Sequence, residues 1–367
     1  ANLPNPNLKW EQTAQTNIGW DLGFFDGRLN IGGDFYYKKT TDLFTNVDVS
    51  PINGITSYIM NNGDMTNKGF SISLNGYPVK TKNFRWYMST YYSVNLNKVQ
   101  TDDARNYNLN DYLNGTAVVS GQPISTFYSY KFLGLNPQNG APMFDDWEDR
   151  WHLLQGKTLD EVVPMILVNS GTRDPKFSGD LNNTFTYKNW SLSLNFSYSL
   201  GSKVRLFEMY GPIINGISAA ANVREEFLDR WQVPGDEKYT VYPSIISPSS
   251  PDYEHYRLHY SAPQRAVGPN SGVPAFANNV WQMYDDSDLR VVSGNYLKLQ
   301  SLSLSYRLND RLLRKTPFTQ LSISFNTHNC FTISAKELRG QDPSQAGFAD
   351  AGLSIRPSYT IGLNVSF

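Results

Sequence analysis

Cysteine is almost absent: Cys330 is the single one in 367 residues. That excludes an internal disulfide framework. Charge is sparse as well. Charged residues make up 18% of the chain and the net charge is −1, so nothing here points to nucleic acid or to an anionic surface. Mean hydropathy is −0.45, and no apolar run reaches the ~20 residues that a membrane-spanning helix needs. No signal peptide opens the chain, so an export signal is expected to have been removed or to lie on a preceding portion. Gly-x-Ser-x-Gly, P-loop and dinucleotide signatures are missing, and no Ser/His/Asp set can be assigned. The sequence is therefore not read as an enzyme, and no cofactor is expected.

Aromatic residues, by contrast, are abundant at 14%, and period-two patterning is pervasive. In the last segment Ile355, Tyr359, Ile361, Leu363, Val365 and Phe367 fall on one side. Arg356, Ser358, Thr360, Gly362, Asn364 and Ser366 fall on the other. Trp190, Leu192, Leu194, Phe196, Tyr198 and Leu200 alternate with Ser191, Ser193, Asn195, Ser197 and Ser199. Phe84–Leu96, Leu29–Tyr37, Phe70–Gly76, Ile18–Phe24 and Leu321–Phe325 repeat the pattern. A half-exposed strand of a soluble sheet explains any one of these segments. A Ser/Asn face repeated over six or more segments suits a watery interior and would be wasted in a packed core. The expected fold is all-β: part of a transmembrane antiparallel β-barrel, with its apolar face toward lipid.

The connections add a second constraint. Short turns are expected at Phe25-Asp26-Gly27-Arg28, Pro78–Asn83 and Tyr187-Lys188-Asn189. Long ones are expected at about 46–57, 98–123, 148–171, 202–290 and 334–351. If Asn136–Gly140 is a short turn between strands Phe127–Leu135 and Ala141–Trp147, short and long connections alternate throughout. The count is then about eleven strands, with short turns on the periplasmic side and long loops outside. Phe24, Phe25, Tyr77, Phe84, Trp86, Tyr187, Trp190, Phe318 and Phe367 lie near the short turns, where an aromatic girdle belongs. An odd count leaves two open edges, which lipid does not tolerate. The first and last strands are therefore expected to pair with segments outside residues 1–367, and not with each other.

At this point the residues resemble the C-terminal half of the SusC-like (SusC/RagA) TonB-dependent outer-membrane transporters of the Bacteroidota. The resemblance rests on Asn5-Pro6-Asn7-Leu8-Lys9-Trp10-Glu11, Asp34-Phe35-Tyr36-Tyr37, Asn62-Gly63-Asp64-Met65-Thr66-Asn67-Lys68-Gly69 and Gly121-Gln122-Pro123-Ile124. It continues through Asp174-Pro175-Lys176-Phe177 and Tyr296-Leu297-Lys298-Leu299-Gln300-Ser301-Leu302. Cys330 departs from the family, standing where a leucine is usual. The resemblance implies a 22-stranded barrel, about half of it here, with the plug and the N-terminal strands absent. It also implies a Gram-negative outer-membrane location, a SusD-like lid lipoprotein, a TonB complex acting through the plug, and a glycan or peptide cargo. A passive porin or surface receptor, a barrel-embedded hydrolase and a soluble sandwich adhesin are the alternatives.

Few residues suggest a site. Trp147, Trp151, Tyr210, Trp231, Trp281 and Tyr284 lie in or near long loops, and flat aromatic faces can stack on sugars or peptide side chains. Ala219–Trp231 reads as a short helix with Ala220, Val223, Phe227 and Trp231 on one face, suited to a lid or to the barrel rim. His255 and His259 have i,i+4 spacing but no third ligand, so no metal site is expected. Asp145, Asp146, Glu148 and Asp149 lack the Gly turn of a calcium loop and are expected to be a solvated run.

Overall fold

The structure, a computed structural model, describes residues 5–367 apart from 49–53, 55–56, 102–106, 146, 148, 214–221, 246–248, 259–265, 268–272, 275–278, 315 and 345–355. Among the described residues, nine strands form one antiparallel sheet. They are β1 (Gln12–Phe24), β2 (Leu29–Thr41), β3 (Asp64–Lys80), β4 (Phe84–Gln100), β5 (Phe177–Tyr187), β6 (Trp190–Leu200), β7 (Tyr296–Arg307), β8 (Gln320–Ser334) and β9 (Ser358–Ser366). Each strand pairs with the next in chain order. β1 and β9 are the edges and do not pair with each other, as expected from the sequence.

Register carries the alternation across the whole sheet. Ile18, Phe35, Phe70, Val94, Phe177 and Leu200 stand opposite one another along one row. Trp86, Phe185, Leu192, Leu304, Phe325 and Ile361 form another. Much of this face is open to its surroundings; Ile18 is 63% and Ile361 76% exposed. A continuous apolar belt of this kind is stable only against lipid. Where Gly33 interrupts it, the ring of Trp20 on the neighbouring strand covers the gap; a Cβ there would lie 2.5 Å from the indole.

The opposite face is a lattice of small polar side chains. Asn97 donates to Asn67 at 2.8 Å, Asn195 to Ser301 at 2.7 Å, and Ser303 to Asn326 at 2.7 Å. These cross-strand bonds pin the register, because a one-residue slip would exchange the two faces.

Turn chemistry separates the two ends. Phe25, Asp26 and Gly27 all have positive φ, and the Arg28 amide closes the turn onto Phe25 at 3.1 Å. Lys188, also at positive φ, closes the β5–β6 hairpin. At this end aromatic rings pair closely: Tyr77 with Tyr87 at 5.2 Å, Trp190 with Tyr306 at 4.7 Å and Phe318 with Phe367 at 5.2 Å. Connections at the other end are long, and the two longest, 101–176 and 201–295, fold into a body with its own core.

Two strands placed in the barrel by sequence are not there. Thr126–Tyr130 pairs with Leu167–Thr172, and Gly134–Leu135 with Pro142–Met143, both within the loop body. β4 hydrogen-bonds directly to β5, so the count falls from about eleven to nine. The reason is length and burial. All of Thr126–Tyr130 is buried, on both faces, and five residues fall short of the ~9–11 that a tilted spanning strand needs. Removing this pair leaves the long–short alternation intact.

Candidate functional site: the loop body

Local capping builds the body. Asn108 and Asp111 form a capping box on helix Leu109–Asn114, which Gly115 ends in the left-handed conformation. Thr158 and Glu161 do the same for Leu159–Ile166, where Pro164 lies inside the helix. Asn279 caps Val280–Asp285 by accepting from the Gln282 amide at 2.8 Å. Each helix turns apolar residues inward, and the core they share includes Leu113, Tyr128, Val162, Ile166, Met209 and Met283. Edge-to-face rings thread it: Phe132 on Tyr284 at 5.5 Å, Tyr284 on Tyr210 at 5.5 Å, Tyr210 on Phe227 at 5.1 Å.

Five of the six aromatics singled out by sequence are buried here. Trp147 carries the Arg150 guanidinium 4.3 Å from its ring. The Tyr210 hydroxyl donates to the Pro243 carbonyl, and the Trp281 indole to the Ser244 carbonyl at 3.1 Å. Trp231 lies against Gly140, whose φ is +70° and where a Cβ would come within 2.4 Å of the indole. Tyr284 is wholly buried. Trp151 alone keeps a partly open surface. Burial pushes the Tyr210 and Tyr284 hydroxyls well above the ordinary phenol range, so both stay neutral.

The Ala219–Trp231 helix is not formed. Among the described residues only Glu225–Asp229 makes a 3-10 turn, preceded by an extended Arg224. Phe227 and Trp231 are buried, whereas Val223 is 45% exposed, so they do not share a face; Ala220 lies outside the described residues. His259, Asp146 and Glu148 also lie outside them. His255 packs edge-on against Tyr256 at 5.2 Å, and Asp145 pairs with Arg150 at 2.6 Å. Among the described residues no His/Cys/Asp/Glu group is arranged to hold a metal.

Sequence reasoning missed a set of buried charges that ties the loops together. Asp285 accepts from the Met209, Tyr210 and Gly211 amides at 2.9, 2.8 and 2.8 Å. Burial pushes its carboxyl up to about 6, against the pull of those amides and of Arg290. Arg205 donates to the Leu113 and Tyr128 carbonyls at 3.1 and 2.7 Å and lies 3.3 Å from Asp286. Gln341, in the β8–β9 connection, donates to the Arg205 carbonyl at 3.1 Å and accepts from the Phe207 amide at 3.0 Å. Buried polar contacts thus join three connections into one folded cover at one end of the sheet. The signal was present in Asp285-Asp286…Arg290, opposite charges in an otherwise aromatic stretch.

An apolar belt outside, a polar face inside and a folded cover at one end describe a sector of a large transmembrane barrel. The sequence profile of the family described as "TonB dependent receptor-like, beta-barrel" matches residues 1–224. The chain belongs to this family.

As a TonB-dependent receptor barrel, it resides in the outer membrane of Gram-negative Bacteroidota. It is 25% identical to TonB-dependent receptor P3 of Formosa agariphila over the whole chain, which covers 35% of that protein. It is 30% identical to TonB-dependent receptor SusC of Bacteroides thetaiotaomicron over 58% of the chain and 21% of SusC. The RagAB peptide importer in its open-open state superposes with a TM-score of 0.70 at 21% identity, over 100% of this chain and 36% of that one. The chain spans about a third of the length of the receptors it matches from end to end. The two relatives are named as receptors, and the structural neighbour as a peptide importer.

Proposed function

We propose that this chain is the C-terminal part of the barrel of a SusC-like transporter that imports glycan oligomers or oligopeptides under a SusD-like lid lipoprotein. The observation that carries the reading is the three-connection cover at the long-loop end, joined by buried polar contacts into a shaped surface for cargo and lid. The belt of lipid-facing side chains and the polar inner face supply the conduit. Strand-edge chemistry supports a larger assembly. Unpaired backbone groups on β1 and β9 would cost several kcal/mol each in hydrocarbon, so further strands, toward a total of 22, close the barrel. A plug inside that barrel, contacted by an energised TonB complex, completes the transporter.

Of the six aromatics singled out by sequence, we take Trp151 to meet cargo through its ring face, since it keeps a partly open surface. Trp147, Tyr210, Trp231 and Trp281 serve it indirectly by holding the cover in shape. The test is uptake of fluorescent oligosaccharides and oligopeptides by cells carrying the full-length protein. Uptake should cease when a protonophore collapses the energy source or when the gene is deleted. Uptake that is indifferent to the protonophore would make the barrel a passive porin.

A further inference from the structure

A cleft of 410 Å³ opens between the 201–295 connection and the start of the β8–β9 connection. Leu206 and Val292 form apolar walls, and Tyr284 and Arg290 lie at its base. Lys336, Glu337 and Arg339 stand at its rim. The base is unusual. Arg290 and Tyr284 are both at least 98% buried and lie beside one another, yet neither the Arg290 Nε nor the Tyr284 hydroxyl makes a well-formed hydrogen bond among the described residues. The rest of the Arg290 guanidinium is well held, donating from Nη2 to the Phe207 carbonyl at 2.6 Å. Buried donors left open are rare, because their desolvation is uncompensated.

Charges of both signs surround the cleft: Glu337 stands at its rim, and Asp285 and Glu226 are within electrostatic reach of Arg290. Arg339 is committed to Glu225 at 3.0 Å, with Asp229 at 3.8 Å. Among the described residues Lys336 and Arg290 have no salt-bridge partner. Two donors at the base and an uncommitted ammonium at the rim suit an acceptor-only group with two or more oxygens. A carboxylate is such a group, and charge-assisted hydrogen bonds to it are the strong kind.

We propose that this cleft binds a carboxylate of the cargo, with Arg290 Nε–H and the Tyr284 hydroxyl as its donors and Lys336 as its outer charge. The proposal rests on the import reading and narrows its cargo to acidic molecules. A uronate of a glycan and the terminal or side-chain carboxylate of a peptide offer the same chemistry.

The test is calorimetry on the full-length protein in detergent. One probe pair is trigalacturonate and its methyl ester; the other is an acetylated tripeptide and its C-terminal amide. The acid member of one pair should bind at least ~10-fold tighter than its neutral partner, and which pair does so identifies the source. Tyr284→Phe keeps the ring and removes only the hydroxyl. It should leave barrel integrity, judged by heat-modifiable gel mobility, unchanged and reduce the acid preference by about threefold or more. Lys336→Gln should reduce it as well. The proposal is overturned if neither acid binds at least ~10-fold tighter than its neutral partner. It is also overturned if the preference survives both substitutions. Either result leaves the import reading standing, since uptake is measured separately.

Discussion

The Lys298 ammonium, on the polar face of β7, lies 3.2 Å from the Asp342 carboxylate of the β8–β9 connection. Both side chains are almost fully buried, at 4% and 7% exposed. The pair therefore clamps a loop onto the barrel interior from inside. Burial works against the charged form of Asp342. Hydrogen bonds from Ser344 and Lys298 outweigh it and hold the carboxyl below its ordinary value.

Removing one partner strands the other. Asp342→Asn should open residues 336–344 locally at a cost of about 3–5 kcal/mol, while Lys298→Met combined with Asp342→Leu should recover most of it. Because the carboxyl is lowered in the folded state, this stability is present above the ordinary carboxylate range and lost as pH falls below it. Hydrogen exchange of 336–344 reads both effects. Unchanged protection in Asp342→Asn would show that the clamp is dispensable.

The two faces of β6 should tolerate charge very differently. Leu194→Arg, on the apolar side, should cost roughly 2–4 kcal/mol near the bilayer midplane, whereas Ser193→Arg should cost little. Refolding titrations into lipid vesicles make the comparison. Equal costs would reverse or abolish the assigned sides.

Asp285 gives the cover a pH dependence of its own. Its carboxyl is raised from 3.8 to about 6, so the folded form holds the proton more tightly than the unfolded one. Its contribution is full below pH 3.8 and is lost as pH rises through 6, an amplitude of roughly 3 kcal/mol. Asp285→Asn should flatten that slope in tryptophan-fluorescence melts between pH 4 and 7. A slope identical to wild type would assign it to other groups.

Gly140 and Trp231 hold the two largest connections together. Gly140→Ala would place a methyl 2.4 Å from the indole, at a backbone φ of +70°. Overpacking of this kind costs roughly 1–3 kcal/mol, with left-handed strain in addition. Protease nicking within 231–244 should accelerate. Resistance equal to wild type would mean that the indole has room to move.

The sequence by itself determined the sheet. Period-two alternation is a local property, since successive side chains point to opposite faces whatever the strand packs against. The faces of β6 and β9, the tight turn at Asp26-Gly27 and the aromatic belt at the short-turn end were therefore legible residue by residue. The alternating long and short connections, read against the motif resemblance, pointed to the family. Only the tertiary structure decided what happens between the strands. Thr126–Tyr130 is as rich in aromatic and β-forming residues as a barrel strand, and nothing within those five residues reveals that both of its faces are covered. Trp281 and Tyr284 could have met cargo or built a core, because an aromatic ring serves either end. The choice was made by partners far away in the chain: Asp285 on the 209–211 amides, Arg205 on the Tyr128 carbonyl, Gln341 on Arg205. Contacts at such separations leave no periodic trace, and they arise only once the sheet has brought its loop ends together.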